Sequence, residues 1–138
     1  MDVFVYGTLV QAQTAAAVLD EFEYLGPATV TGLHRVEGRY PTLAPGGSVS
    51  GRLLRTAERD ALDRYEGVDS NLYVRCTLPV ETGETDETDE ADGASDTVEC
   101  YLGDPAPLDA PVEWPGDGTF EERVRRYCRD ERVVVRRE

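Results

Sequence analysis

The sequence predicts an α+β fold: a small mixed or antiparallel β-barrel with peripheral helices, in a single domain spanning residues 1–138. Three observations lead there. Segments of strand character outnumber those of helical character, and they are short. No strand–helix alternation recurs, which weighs against a doubly wound parallel sheet. A chain of 138 residues also buries roughly two-thirds of the surface its unfolded form exposes, enough for one core and one cleft.

The elements follow in order. Asp2 to Tyr6 alternates Asp, Val, Phe, Val, Tyr and reads as a strand with at least one buried face, closed by Gly7. Thr8 is placed to cap a helix running to about Asp20, with Ala12, Ala15, Ala16 and Leu19 on one side. Phe22–Val36 is extended, with a turn at Gly26-Pro27 and a bend at Gly32. Glu37–Ser48 reads as a loop. Val49–Arg55 is a strand in which Gly51 marks a bulge or a close approach of another backbone.

A second helix is expected within "TAERDALDRYEG", with Thr56 as N-cap, Glu58 at the positive end of the dipole and Gly67 as its stop. Leu62 and Tyr65, three apart, share a face. Leu72–Glu81 and Thr97–Gly103 read as paired strands across an acidic loop at 82–96 that is too polar to build core. A Pro-rich loop, Asp104–Gly118, holds the single tryptophan, Trp114. The capping-box pattern Thr119-x-x-Glu122 then opens a C-terminal helix over about 119–131.

Composition bounds the partners. Acids number 28 and bases 14, every base is Arg, and the net charge is −14, which repels a phosphate backbone and argues against nucleic acid. Dense carboxylates without a single Lys are expected of a protein adapted to a high-salt cytoplasm, where short Debye lengths screen the repulsion. No apolar run reaches membrane-spanning length and no basic-then-apolar leader opens the chain, so a soluble cytoplasmic protein without a membrane partner is expected. Cys76, Cys100 and Cys128 are odd in number and lack CxxC spacing, which argues against a disulfide framework or a structural zinc site.

Two places in the chain could carry chemistry. At "YGTL" (Tyr6, Gly7, Thr8, Leu9) a strand passes through glycine into a helical turn whose first N–H groups have no intrahelical partner, a cradle for a carboxylate or phosphate. The same pattern also serves as an ordinary turn. Glu66 sits at the negative end of the second predicted helix, with Asp63 and Asp69 near it in sequence, an environment that raises a carboxylate's pKa and suits a general base. The plainer reading is a solvated Glu at a frayed helix end.

Other chemistry is poorly supplied. His34 is the lone histidine and lies in a predicted strand, which reads as structural. No HExxH-type spacing exists. Counting from Thr88, the residues Glu90, Asp92, Gly93 and Glu99 match calcium-loop positions, but position one is not Asp and no helices flank the loop.

Taken in order, "FVYGTL", "YPTL", "VSGRLLR" and "LDRYEGVDSNLYVR" resemble the γ-glutamylcyclotransferase-like family, including γ-glutamylamine cyclotransferases and AIG2-like proteins, over about Val3 to Tyr101. The resemblance implies a small β-barrel flanked by helices, with no metal or organic cofactor. It implies that Tyr6, Gly7, Thr8 and Leu9 line the substrate cavity and that Glu66 is the catalytic acid/base. It further implies that Tyr73, and less directly Tyr101, line the same cavity. The implied partner is a small-molecule γ-glutamyl substrate, converted to 5-oxoproline and a free amine by intramolecular aminolysis. A carboxylate-binding module of the same fold, or an enzyme acting on another amide, remain the alternatives.

Overall fold

The computed structural model describes residues 1–68, 72–81 and 97–137; the acidic stretch 82–96, with its calcium-like spacing, and Asp69 lie outside them. The strands are β1 (Asp2–Val5), β2 (Glu23–Val36), β3 (Thr42–Arg55), β4 (Tyr73–Glu81), β5 (Thr97–Gly103) and β6 (Val134–Arg137). They close into a barrel in the order β1-β3-β2-β6-β4-β5. Four contacts around the ring are antiparallel; β1–β5 and β4–β6 are parallel, so the barrel is mixed. Closure gives each strand a neighbour on both sides over part of its length.

The wall is packed on both faces. β1 is buried along its whole length: Phe4 joins one core with Leu33, Leu43, Leu53, Leu78 and Leu102, while Val3 and Val5 join the other with Leu54 and Leu62. A cross-strand pair fixes this register. Asp2 is 5% exposed and meets Arg55 through two bonds, Nε–Oδ1 at 2.7 Å and Nη2–Oδ2 at 3.0 Å. At Gly51 a Cβ would overlap Val5 O and reach the Phe4 ring at 2.8 Å, which is the close approach the sequence suggested.

Several local expectations change. The first helix does not run from Thr8: a 3-10 turn (Thr8–Val10) precedes α1 (Ala12–Val18), whose N-cap is Gln11, without a side-chain cap. β3 starts at Thr42, within the predicted loop, because Thr42–Pro45 pairs with Val36–Leu33 and Gly46 and Gly47 absorb the turn at φ 101° and 75°. Gly26 and Gly32 mark register shifts within β2 rather than a break in it.

Helix α2 (Arg59–Glu66) has Glu58 as its N-cap, and not Thr56. Thr56 is buried; its hydroxyl donates to Glu21 O at 2.8 Å and accepts from Glu58 N at 3.2 Å. The Glu58 carboxylate accepts the amides of Asp20 and Glu21 at 3.1 and 2.7 Å, and so pins the α1–β2 connection. Gly67 stops the helix as expected, at φ 73°.

The Pro-rich segment contains α3 (Pro105–Leu108), capped by Asp104. Helix α4 (Phe120–Asp130) opens with the full capping box of Thr119 and Glu122. Trp114 packs edge-on against Phe120 and Tyr127, with centroids 6.0 and 5.4 Å apart. β6 has no counterpart in the sequence reading. It carries Val135 into the core beside Val133, pairs with β2 and β4, and completes the ring. Among the described residues no helix is long and apolar enough to cross a membrane.

Candidate active site

The helix stop at Gly67 fixes where α2 ends and therefore where Glu66 points. A Cβ on Gly67 would crowd Leu72 Cβ at 3.0 Å, and the positive φ favours glycine in any case. Glu66 borders a cavity of about 300 Å³ enclosed by the end of β1, the 3-10 turn, the Tyr40-Pro41 connection, and the facing ends of β4 and β5. Burial pushes its carboxyl up to about 7. The cause is removal from water, with no contribution from Asp63, one of the two neighbouring acids the sequence argument invoked. Among the described residues nothing hydrogen-bonds to that carboxylate or pairs with it. Asp63 is engaged elsewhere, accepting from Tyr101 at 2.6 Å and lying 3.4 Å from Arg75 Nη1.

Six of the seven residues expected at the site border this one cavity: Tyr6, Gly7, Leu9, Glu66, Tyr73 and Tyr101. Thr8 opens the 3-10 turn, and its side chain is not described. Within the turn, Val10 N–H donates to Gly7 O at 3.2 Å. The amides of Thr8 and Leu9 come before that first bond and have no partner inside the turn. At Gly7 a Cβ would reach only ordinary contact with Pro41, at 3.6 Å, so local packing does not by itself demand glycine there.

Three tyrosines form a fixed wall. Tyr6 Oη donates to Tyr101 O at 2.5 Å, Tyr73 Oη to Pro41 O at 2.5 Å, and Tyr101 Oη to Asp63 Oδ1 at 2.6 Å. Each hydroxyl has one proton, and each of these is committed to an acceptor in the protein. Burial raises the pKa of all three phenols, with the neighbouring Glu66 charge adding to each. They stay protonated. The Tyr73 ring has room because Gly103 lies opposite it in register, where a Cβ would overlap Leu108 and approach the ring at 3.1 Å.

The sequence reading did not assign Tyr40, Pro41, Tyr65 or Leu72 to the cavity, and the structure adds them together with Phe4 and Val5. Tyr65, grouped with Leu62 by spacing, is 43% exposed at the cavity edge, whereas Leu62 is wholly buried. The "YPTL" stretch was the available signal for Tyr40 and Pro41. His34 is exposed, with Nδ1 3.0 Å from Gly46 O, and does not border the cavity. The three cysteines are buried and free. Among the described residues no group of three or more His, Cys, Asp or Glu gathers to hold a metal.

Known proteins share this fold. Protein AIG2 C of Arabidopsis thaliana is 30% identical over 84 residues, covering 57% of this chain and 51% of that protein. The chain thus spans about half the length of the curated relatives it matches. A solved gamma-glutamyl cyclotransferase shares the fold with a TM-score of 0.60 at 16% identity, over 75% of this chain and 66% of its own. A solution structure from Arabidopsis thaliana is 26% identical with a TM-score of 0.51, covering 94% and 84% of the two chains. The family described as gamma-glutamyl cyclotransferase, AIG2-like matches residues 3–117, which include every residue that borders the cavity. With that match over most of its length, the chain belongs to the gamma-glutamyl cyclotransferase, AIG2-like family.

Proposed function

We propose that the chain converts a γ-glutamyl amide into 5-oxoproline and a free amine by intramolecular aminolysis. The observation that carries this is Glu66: a partly buried carboxylate with its pKa near 7 that borders the same cavity as the turn residues Gly7 and Leu9. The substrate's α-carboxylate rests on the amides of residues 7–9, which is where the sequence pattern first suggested an anion. Freedom of packing at Gly7 is consistent with a glycine kept for ligand approach.

The folded-back substrate brings its own α-amine to its γ-carbonyl, so most of the proximity advantage lies within one molecule. The α-ammonium, of pKa about 8, gives its proton to the Glu66 carboxylate. Its nitrogen then bonds to the γ-carbon, and the carbonyl electrons move to oxygen, where N–H donors stabilise the charge. The attack leaves the ring nitrogen with a second proton. As the oxyanion collapses, the bond to the leaving nitrogen breaks and protonated Glu66 gives that nitrogen a proton. The regenerated carboxylate then takes the ring nitrogen's extra proton and passes it to the departed amine, which leaves as an ammonium. Atoms and charge balance without a metal or an organic cofactor. The tyrosine wall, kept neutral by burial, shapes the cavity without competing for that proton.

Release of 5-oxoproline from a panel of γ-glutamyl amides tests the proposal. Turnover of at least one member, lost in Glu66→Gln, is the expected result. Binding of the panel without any 5-oxoproline would leave a carboxylate-binding module in its place.

A further inference from the structure

The turn over residues 6–10 is held from behind by side chains of β2 and β3. Arg35 Nη1 donates to Tyr6 O at 2.8 Å, the Tyr24 hydroxyl to Leu9 O at 2.6 Å, and Arg52 Nη1 to Val10 O at 2.8 Å. Val10 N–H takes Gly7 O at 3.2 Å. None of Tyr24, Arg35 and Arg52 borders the cavity, so whatever they do for a ligand passes through the turn.

Donors on the carbonyls decide where the amides point. A trans peptide unit is planar, and its C=O and N–H are directed opposite ways. Fixing Tyr6 O against Arg35 therefore turns the Gly7 N–H away from that guanidinium, and fixing Gly7 O does the same for the Thr8 N–H. Tyr24 and Arg52 anchor the far end of the turn. A bond accepted at the carbonyl also polarises the peptide unit and strengthens its N–H as a donor.

Tyr24 and Arg52 act as one unit. The Arg52 guanidinium carbon lies over the Tyr24 ring, 3.8 Å from its centroid, so a stacked pair grips two successive carbonyls. Arg35 is paired with Glu37. Among the described residues Arg52 forms no ion pair, although the chain has 28 acids for 14 bases. Its charge is left behind the turn, where it favours an anion in front.

We infer that Tyr24 and Arg52 are positioning residues for the anion cradle: without touching the ligand, they fix the turn and its charge so that the amides of residues 7–9 hold a carboxylate. The identity of that carboxylate, the α-carboxylate of a γ-glutamyl group, rests on the cyclotransferase reading above. A purely structural brace would weaken folding and leave carboxylate recognition by the folded protein unchanged.

Two probes separate these roles: 5-oxoproline, which carries the carboxylate, and 5-oxoprolinamide, the same ring with a neutral amide. In Tyr24→Phe and in Arg52→Gln, Kd for 5-oxoproline should rise about five- to tenfold, the scale of one lost hydrogen bond, while Kd for 5-oxoprolinamide moves by less than about twofold. Arg52→Lys keeps the charge and should recover part of the loss. For any γ-glutamyl amide that is turned over, both variants should raise KM and leave kcat and its acid limb in place. Urea midpoints establish that each variant is folded; if Arg52→Gln is not, Tyr24→Phe, which keeps the ring beneath Arg52, decides. Equal losses for the two probes, or an unchanged Kd for 5-oxoproline, would overturn the inference. If no amide yields 5-oxoproline while the Kd pattern holds, the cyclotransferase reading fails and the positioning role stands. If 5-oxoproline does not bind the wild type, the inference fails, and turnover of the amides still decides the cyclotransferase reading.

Discussion

The Tyr101 hydroxyl donates to Asp63 Oδ1 at 2.6 Å and so ties β5 to α2 one helical turn before Glu66. Asp63 is therefore more than a neighbouring charge. Removing either partner should loosen the wall beside the carboxylate, so Asp63→Ala and Tyr101→Phe should each lower kcat/KM several-fold. The double variant should cost less than the sum, with a coupling of about 1 kcal/mol, typical of one hydrogen bond in a shared network. Strict additivity in a double-mutant cycle would show that this bond does not position the site.

Glu66→Gln keeps shape and removes the titrating oxygen. If Glu66 moves both protons, kcat should fall by at least about 10²- to 10⁴-fold. On the proposed reading substrate should still bind, its carboxylate resting on the turn amides rather than on Glu66. Single-turnover assay of 5-oxoproline together with calorimetric binding checks this; turnover near wild type would falsify the assignment.

The pH dependence follows from burial. Because the Glu66 carboxyl titrates near 7, the acid limb of kcat should fall with an apparent pKa near 7, and not near the 4.5 of a solvated carboxyl. Stability carries the opposite sign. The folded state holds this proton more tightly than the unfolded chain, so stability from this group is full below about 4.5 and is lost as pH rises through about 7. Glu66→Gln lacks that loss. Its advantage over wild type in urea denaturation should grow across this window to at most on the order of 3 kcal/mol. A difference that stays constant with pH would argue for a water-exposed Glu66.

Gly51→Ala should destabilise by about 1–3 kcal/mol. Its φ is ordinary, so the penalty is steric: the new methyl would press on Val5 O and the Phe4 ring. An unchanged urea midpoint would mean that β1 and β3 lie further apart than described.

Salt should stabilise the fold. At a net charge of −14 the repulsion among carboxylates is long-ranged, and the Debye length shrinks from about 10 Å at 0.1 M to about 3 Å at 1 M. The melting temperature should rise between 0.1 and 2 M KCl. A flat response would count against the proposed adaptation to a high-salt cytoplasm.

What the sequence determined by itself were the parts set by near neighbours. Alternation at Asp2–Tyr6, the glycine stop at Gly67 and the capping box at Thr119 each depend on residues a few positions apart, and each appears in the structure. The grouping of Tyr6, Gly7, Leu9, Glu66, Tyr73 and Tyr101 came from motif resemblance and not from any local rule. Only the folded chain brings them around one cavity, because barrel closure joins β1 to β5 and β5 to β4 across long separations. β6 escaped notice because four residues after a helix carry too little periodicity; it is a strand because β2 and β4 supply its partners. The pKa of Glu66 shows the same division. Its position at a helix end was legible in the sequence, but its pKa near 7 comes from burial, and burial exists only once distant segments have enclosed it.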